Sequence, residues 1–370
     1  MIDIPRIVKQ FKIEGKFGSA SPIGSGHIND SWLIATTPAV APDYVLQRIN
    51  HTIFRNVPEL TNNILRVTRH LKQRLLCRDE ALNWFRVIQL IETRSGNYFF
   101  HDPDGNYWRL YDHVNDTTSY DLVGSPAMAC EAGKAYGLFQ HLSSDIEASS
   151  LFEILPDFHH IAVRLQTFRD AVLHDPAGRV AATRSEIAFA ESRAEEMHTI
   201  LQLGETGKIP LRVTHNDTKF NNVLFNRDQQ AIAVVDLDTV MPGYLLYDFG
   251  DAIRTGANTG EEDESDLSKV NIDLVLFEAY ARGYLGVVGR SLWPAETAHL
   301  AFSAKYMTYL IGLRFLTDHL NGDHYFKTRF PGHNLQRARA QFKLLESMEE
   351  HFGEMKEIIL ALDANHPKLP

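Results

Sequence analysis

Along the first third of the chain, apolar positions fall in short alternating runs separated by turn residues. Phe17 to Pro22, Ser31 to Ala35, Tyr44 to Ile49, Phe85 to Glu92, Tyr98 to Phe100 and Tyr107 to Tyr111 each read as a strand, because residues two apart share a face of an extended chain. Between them the period changes. From Pro58 to Leu76 the apolar residues Leu60, Ile64, Val67 and Leu71 fall on one stripe, which predicts a helix with one buried face. Asp102-Pro103-Asp104-Gly105-Asn106 has the composition of a tight turn. These elements add up to an antiparallel sheet with one helix packed on it.

Beyond about residue 114 the pattern becomes helical. Ala127 to Leu142, Ile161 to Val172, Arg184 to Leu203, Asp273 to Tyr284, Thr297 to Leu320 and Leu335 to Phe352 carry helical periodicity, and only the stretch between Leu211 and Val240 reads as strand. The expected architecture is α+β in two lobes: a small antiparallel-sheet lobe at residues 1–113 and a mainly helical lobe at residues 114–370. The connector falls near Asp112 to Asp116, and the cleft between two such lobes is where ligands favour binding.

Composition narrows the functional classes. A net charge of −10 without a basic block argues against a nucleic-acid or membrane-surface binder, which needs a cationic face. The two cysteines, Cys77 and Cys130, support neither a disulfide framework nor a zinc site. The first residues lack the apolar run of a signal peptide, and no apolar run reaches the length of a membrane span, so a cytoplasmic protein is expected.

The chemistry concentrates in three segments. Thr214 to Phe225 fits H-x-D-x-x-x-x-N, with His215, Asp217 and Asn222 in the named positions, followed by an apolar strand. Phosphoryl transfer needs a carboxylate to accept the proton of the attacking hydroxyl and a neutral oxygen ligand for magnesium nearby; Asp217 and Asn222 suit those roles. Lys219 falls two residues after the aspartate, where protein kinases carry the lysine of their D-x-K-x-x-N loop, and is expected to contact the transferred phosphate. The second segment, Ile232 to Thr239, is an apolar strand ending in Asp236 and Asp238. A hairpin turning at Asn226 to Gln230 returns Asp236 to the side of Asn222, where both can hold one metal ion. The third, Pro22 to Asp30, contains Gly24, Ser25 and Gly26 between the first two strands, where glycines let backbone N–H groups approach phosphate.

Taken together, these segments resemble the aminoglycoside phosphotransferase and choline kinase superfamily. The resemblance implies a protein-kinase-like two-lobed fold and use of ATP and Mg2+, with Asp217 as catalytic base and Asn222 and Asp236 as magnesium ligands. ATP is expected beneath Gly24, Ser25 and Gly26, with its adenine against His113, Val114 and Asn115. Asp248-Phe249-Gly250 spells a protein-kinase metal motif, but it follows no strong strand and reads as a structural aspartate downstream of the true metal ligand, Asp236. Many kinases carry a phosphate-holding lysine on the third strand, and here Gln47 sits at that place beside Arg48. Alternation puts Gln47 and Arg48 on opposite faces, so one of the two faces the nucleotide.

Gly26 to Asp30, Tyr44 to Arg48, Asp236 to Thr239 and Gly312 to Asp318 lean toward a sugar-kinase branch acting on a free N-acetylhexosamine at its anomeric hydroxyl. That branch implies an acceptor site of His27, Asn29, Asp217, Arg314 and Asp318, although Arg314 and Asp318, one turn apart, also fit an ordinary ion pair along a helix. A choline- or aminoglycoside-type kinase is the nearer alternative, and a nucleotide-binding pseudokinase the more distant one. His159-His160 reads as a surface pair at a helix start, and Glu261 to Asp266 as a solvated acidic loop.

Overall fold

The computed structural model describes residues 2–23, 28–77 and 84–364. The first lobe comprises α1 (Ile4–Val8), β1 (Lys16–Pro22), β2 (Asp30–Thr37), β3 (Tyr44–Ile49), α2 (Val57–Leu76), β4 (Phe100–His101) and β5 (Tyr107–Asp112). The strands form one antiparallel sheet in the order β1-β2-β3-β5-β4. Alternation gives the sheet two unlike faces. Ile34, Tyr44, Leu46, Trp108 and Leu110 bury themselves against Ile7, Val8 and Phe11 of the N-terminal segment. The other face carries Ser31, Gln47 and Arg109, a polar row across three strands in register.

The stripe of α2 is buried as its spacing dictates: Leu60, Ile64, Val67 and Leu71 join the larger core, which continues into the second lobe. The expected strand at Phe85 to Glu92 does not form. That segment makes single bridges only, Leu90 to Tyr111 and Arg86 to Ala233. Having touched both β5 and the second lobe, it cannot lie straight along either. Its apolar residues Phe85, Ile88 and Leu90 are buried as a connector between the cores.

The second lobe comprises α3 (Pro126–Ser143), α4 (Ile161–His174), α5 (Arg184–Arg193), α6 (Thr199–Glu205), β6 (Arg212–Thr214), β7 (Val223–Phe225), β8 (Ala231–Val234), β9 (Met241–Gly243), α7 (Leu245–Gly256), α8 (Leu274–Val288), α9 (Pro294–Ala298), α10 (Leu300–Leu320), α11 (His333–Glu350) and α12 (Phe352–Ala364). The single helix expected over Arg184 to Leu203 is broken into α5, a 3-10 turn at Glu196–His198 and α6. The sequence reading names no helix at α7, whose polar residues Asp248, Asp251 and Arg254 are buried along with its apolar ones. The α3–α8 crossing is too close for side chains at two positions: a Cβ on Gly133 would sit 2.2 Å from the Tyr280 carbonyl oxygen, and one on Gly283 2.0 Å from that of Cys130. No helix among the described residues is long and apolar enough to cross a membrane.

Candidate active site

The loop between β6 and β7 holds the H-x-D-x-x-x-x-N segment, and buried hydrogen bonds fix it from three sides. His215 Nε2 lies 2.9 Å from the Val235 carbonyl oxygen, so it must carry the proton, and Nδ1 accepts from the Asp217 backbone N–H at 3.3 Å. Burial pulls the His215 pKa down, which keeps this neutral form. Tyr136 of α3 donates its hydroxyl to the Lys219 carbonyl at 2.8 Å. From α7, Asp248 accepts from the backbone N–H groups of His215 (2.8 Å) and Asn216 (2.7 Å) and from Gln140 Nε2 (2.9 Å). All the functional groups of Asp248 point into the loop, which is the structural role its position in the sequence predicts. Gly250 of the same triplet serves packing: a Cβ there would lie 2.2 Å from the Ser303 carbonyl oxygen of α10.

This clamping sets the side chains that follow. Asp217, with 26% of its side chain exposed, sits 3.1 Å from Lys219 Nζ. Its recessed setting pushes its carboxyl up, but the Lys219 ammonium, helped by the Arg254 charge, outweighs that and holds it below the usual carboxylate range. Asn222 donates Nδ2 to the Asp217 carbonyl at 2.8 Å, with a longer contact of 3.3 Å to Oδ2, which turns its own Oδ1 away from the loop. The β7–β8 hairpin forms with Val223 opposite Val234, and the Val235 N–H donates to the Asn222 carbonyl at 2.9 Å. Asp236 follows directly, in the left-handed region at φ 62. Its carboxylate opens into the cleft and makes no ion pair or hydrogen bond among the described residues. The recessed setting and the negative charges of Asp238 and Asp217 push its pKa up. Two free oxygen donors, Asn222 Oδ1 and the Asp236 carboxylate, beside excess negative charge suit a hard divalent cation.

Facing this loop across the cleft is the polar row of the sheet. Gln47 points toward the second lobe: its Nε2 donates to Ser31 Oγ at 3.0 Å, and its Oε1 accepts from Arg109 Nε (2.9 Å) and Nη2 (2.7 Å). Arg48, its alternative for the nucleotide, lies on the opposite face, where it pairs with Asp30 on the neighbouring strand. Arg48 therefore does not reach the cleft, for the alternation that separates it from Gln47. Asn29, expected at the acceptor, spends its amide within the chain, donating to Asp238 Oδ2 at 2.6 Å and accepting from the Asn50 N–H at 2.9 Å. Gly24, Ser25, Gly26 and His27 lie outside the described residues. His113, Val114 and Asn115 form the connector after β5; His113 Nδ1 lies 2.7 Å from Asn115 Oδ1, and Val114 packs against the larger core.

Around His159, α4 and α10 bring Arg164 and Arg314 close enough to act on each other. Arg314 makes no ion pair with Asp318. Its guanidinium instead lies 4.7 Å from the Phe158 ring, 5.6 Å from Tyr325 and 5.5 Å from Phe326, and Nη2 donates to the Tyr325 hydroxyl at 3.3 Å. Asp318 is a loop clamp. It accepts from the backbone N–H groups of His324, Tyr325 and Phe326 and from Asn334 Nδ2, so both oxygens are consumed in presenting those aromatic rings to Arg314. Arg164 donates to the Phe158 carbonyl at 3.1 Å and 3.2 Å. Among the described residues neither Arg164 nor Arg314 has a carboxylate partner. His159 links this cluster to the loop: it is 5% exposed, not a surface residue, and its Nε2 lies 3.2 Å from the Asn216 carbonyl. Burial and the two arginines pull its pKa down to about 3.

Sequence reasoning missed Arg109, Asp238, Tyr136, His159 and Tyr325 as parts of the site. Two of them left a trace: Arg109 as a charged residue between Trp108 and Leu110, and Asp238 as the second acid at the end of its strand. The acidic run is likewise only partly solvated: Glu262 pairs with Arg254 at 3.0 Å, and Asp263 with Arg329 at 2.6 Å and His333 at 2.8 Å.

Comparison with known proteins bears on this site. A family model described as the phosphotransferase enzyme family matches residues 19–289. Among solved structures, a microcompartment-associated aminopropanol kinase is 16% identical, with a TM-score of 0.65, covering 95% of this chain and 98% of its own. Amicoumacin kinase, solved in complex with AMP-PNP, Ca2+ and Ami, is 13% identical with a TM-score of 0.60, covering 92% and 93%. Plasmodium vivax ethanolamine kinase is 14% identical with a TM-score of 0.51, covering 92% and 84%. These likenesses support the two-lobed, kinase-like architecture, and with the family match across most of its length the chain belongs to the phosphotransferase enzyme family, whose members are small-molecule kinases acting on hydroxyl groups.

Proposed function

We propose that this chain transfers the γ-phosphoryl group of ATP to the anomeric hydroxyl of a free N-acetylhexosamine. The observation that carries the proposal is the ionised Asp217 beside Lys219, with Asn222 Oδ1 and Asp236 left as free oxygen donors across the hairpin. In the transfer, the acceptor oxygen bonds to the γ-phosphorus, the bond from that phosphorus to the bridging oxygen of ADP breaks, and the acceptor proton passes to Asp217. A base held below the ordinary carboxylate range suits an acidic hydroxyl, and an anomeric hydroxyl is more acidic than a simple alcohol because the ring oxygen stabilises the developing charge. Lys219 contacts the transferred phosphate. Magnesium on Asn222 and Asp236 would neutralise phosphate charge when bound. The complex of amicoumacin kinase with AMP-PNP and Ca2+ supports use of a nucleotide and a divalent cation on this architecture.

The acceptor side supports a sugar over a cationic amino alcohol. Arg164 and Arg314 stand there without carboxylate partners, and aromatic rings surround Arg314. A quaternary amine or an aminoglycoside would meet like charge, whereas sugar hydroxyls accept hydrogen bonds from guanidinium groups and stack on aromatic rings. An acceptor panel scored by ADP release, with reducing ends counted in parallel, tests the reading. Reducing capacity should fall in step with ADP release from N-acetylglucosamine or N-acetylgalactosamine. ADP release with unchanged reducing capacity overturns the anomeric position. Release only with choline-like or aminoglycoside acceptors overturns the sugar.

A further inference from the structure

Asp217 and Asp238 both lie close enough to Asp236 to raise the cost of its charge. Those two each have their own cation. Asp217 sits 3.1 Å from Lys219 Nζ, and Asp238 Oδ1 sits 2.5 Å from Arg109 Nη1. Asp236 has none. The Arg109–Asp238 pair also spans the lobes, from β5 to the loop after β8, and both side chains are nearly inaccessible, at 1% and 4% exposure. Gln47 occupies the place of the strand lysine but contacts Arg109 instead, holding two of its guanidinium nitrogens. Asn29 adds a second tie to the same aspartate. Among the described residues Arg109 Nη1 and Asp238 Oδ1 have no partner but each other.

We propose that Arg109 and Asp238 are a positioning pair that reserves Asp236 for the metal. By neutralising Asp238, Arg109 keeps the second acid of Asp236-Leu237-Asp238 out of the metal's coordination shell and fixes the loop against the nucleotide lobe. The inference rests on the reading of Asp236 as a metal ligand. It also accounts for the missing strand lysine: Gln47 there orients Arg109 on the adjacent strand.

The test separates charge from packing. Mn2+ binding to the folded protein with ADP present is titrated by electron paramagnetic resonance, and kcat is measured alongside. Arg109→Met frees Asp238, so Mn2+ affinity holds or tightens while kcat falls about 10²-fold through misplacement. Asp238→Asn leaves the Arg109 charge beside Asp236, so Mn2+ binding weakens by about tenfold or more. The double variant Arg109→Met/Asp238→Asn, which replaces an ion pair by neutral groups, restores Mn2+ affinity to within about threefold and recovers most of kcat. Circular dichroism checks the fold, and where Arg109→Met alone does not fold, Asp238→Asn against the double variant decides. Equal weakening in both single variants, or a double variant no better than the worse single, overturns the proposal. A loss of ADP affinity in Arg109→Met that the double variant does not rescue overturns it in favour of a direct phosphate contact. Unchanged Mn2+ binding in Asp236→Asn removes the metal assignment itself, independently of the pair.

Discussion

Asp248→Asn is the substitution that most sharply separates the two aspartate motifs. The carboxylate of Asp248 receives the backbone N–H of Asn216 on Oδ1 and that of His215 on Oδ2, together with the Gln140 amide. An asparagine keeps one oxygen acceptor and turns an NH2 group toward the other side. One backbone N–H of the catalytic loop then faces a donor. Gln140 is less affected, because the same nitrogen also donates to the Val213 carbonyl at 3.0 Å. The loss is one hydrogen bond to a charged group plus one buried donor left unpaired, about 3–5 kcal/mol in all. No metal-facing oxygen is touched. Urea unfolding followed by tryptophan fluorescence should show the midpoint falling by that free energy, while Mn2+ binding below the transition is retained. Asp236→Asn should do the reverse, leaving the midpoint near that of the wild type and abolishing Mn2+ binding. A fully stable Asp248→Asn that has lost the metal would refute the assignment of the two motifs.

Three further outcomes are expected. Asp217→Asn keeps the shape of the base but cannot take a proton, so kcat should fall about 10²- to 10⁴-fold with ADP affinity intact, and wild-type-like turnover would remove Asp217 from the mechanism. Asp318→Ala releases the three backbone donors that present Tyr325 and Phe326 to Arg314, so KM for the acceptor should rise by about tenfold or more while KM for ATP stays put; equal changes in both would show a global effect. At Asp102, burial works against the charge, but the Trp108 indole, Asn106 and the Asp104 N–H outweigh it and hold the carboxyl below its ordinary value. A depressed folded-state pKa contributes stability above the unfolded value of 3.8 and loses it as pH falls further. The Tm gap between wild type and Asp102→Asn should therefore be widest near neutral pH and close below about pH 4, and a gap that widens in acid would contradict this.

Local chain geometry was legible in the sequence. The strands β1 to β3, the buried stripe of α2 and the β7–β8 hairpin follow from period and turn chemistry, each set by residues a few positions apart. For the same reason the sequence separates Gln47 from Arg48 and brings Asp236 back toward Asn222, since both results need only alternation and one hairpin. The tertiary structure decided everything that depends on what lies across the cleft. It turned Gln47 inward by packing Leu46 and Trp108 of the opposite face against the N-terminal segment. It joined Arg109 to Asp238, 129 positions later in the chain, and surrounded Arg314 with Phe158, Tyr325 and Phe326 in place of the helical ion pair its spacing allowed. It buried His159 beneath the loop that carries Asp217, and it buried Asp248, Asp251 and Arg254 of α7, which an amphipathic pattern alone would leave on a solvent face. Periodicity records one face at a time, whereas a buried charge is placed by its partner, and a partner distant in sequence leaves no local trace.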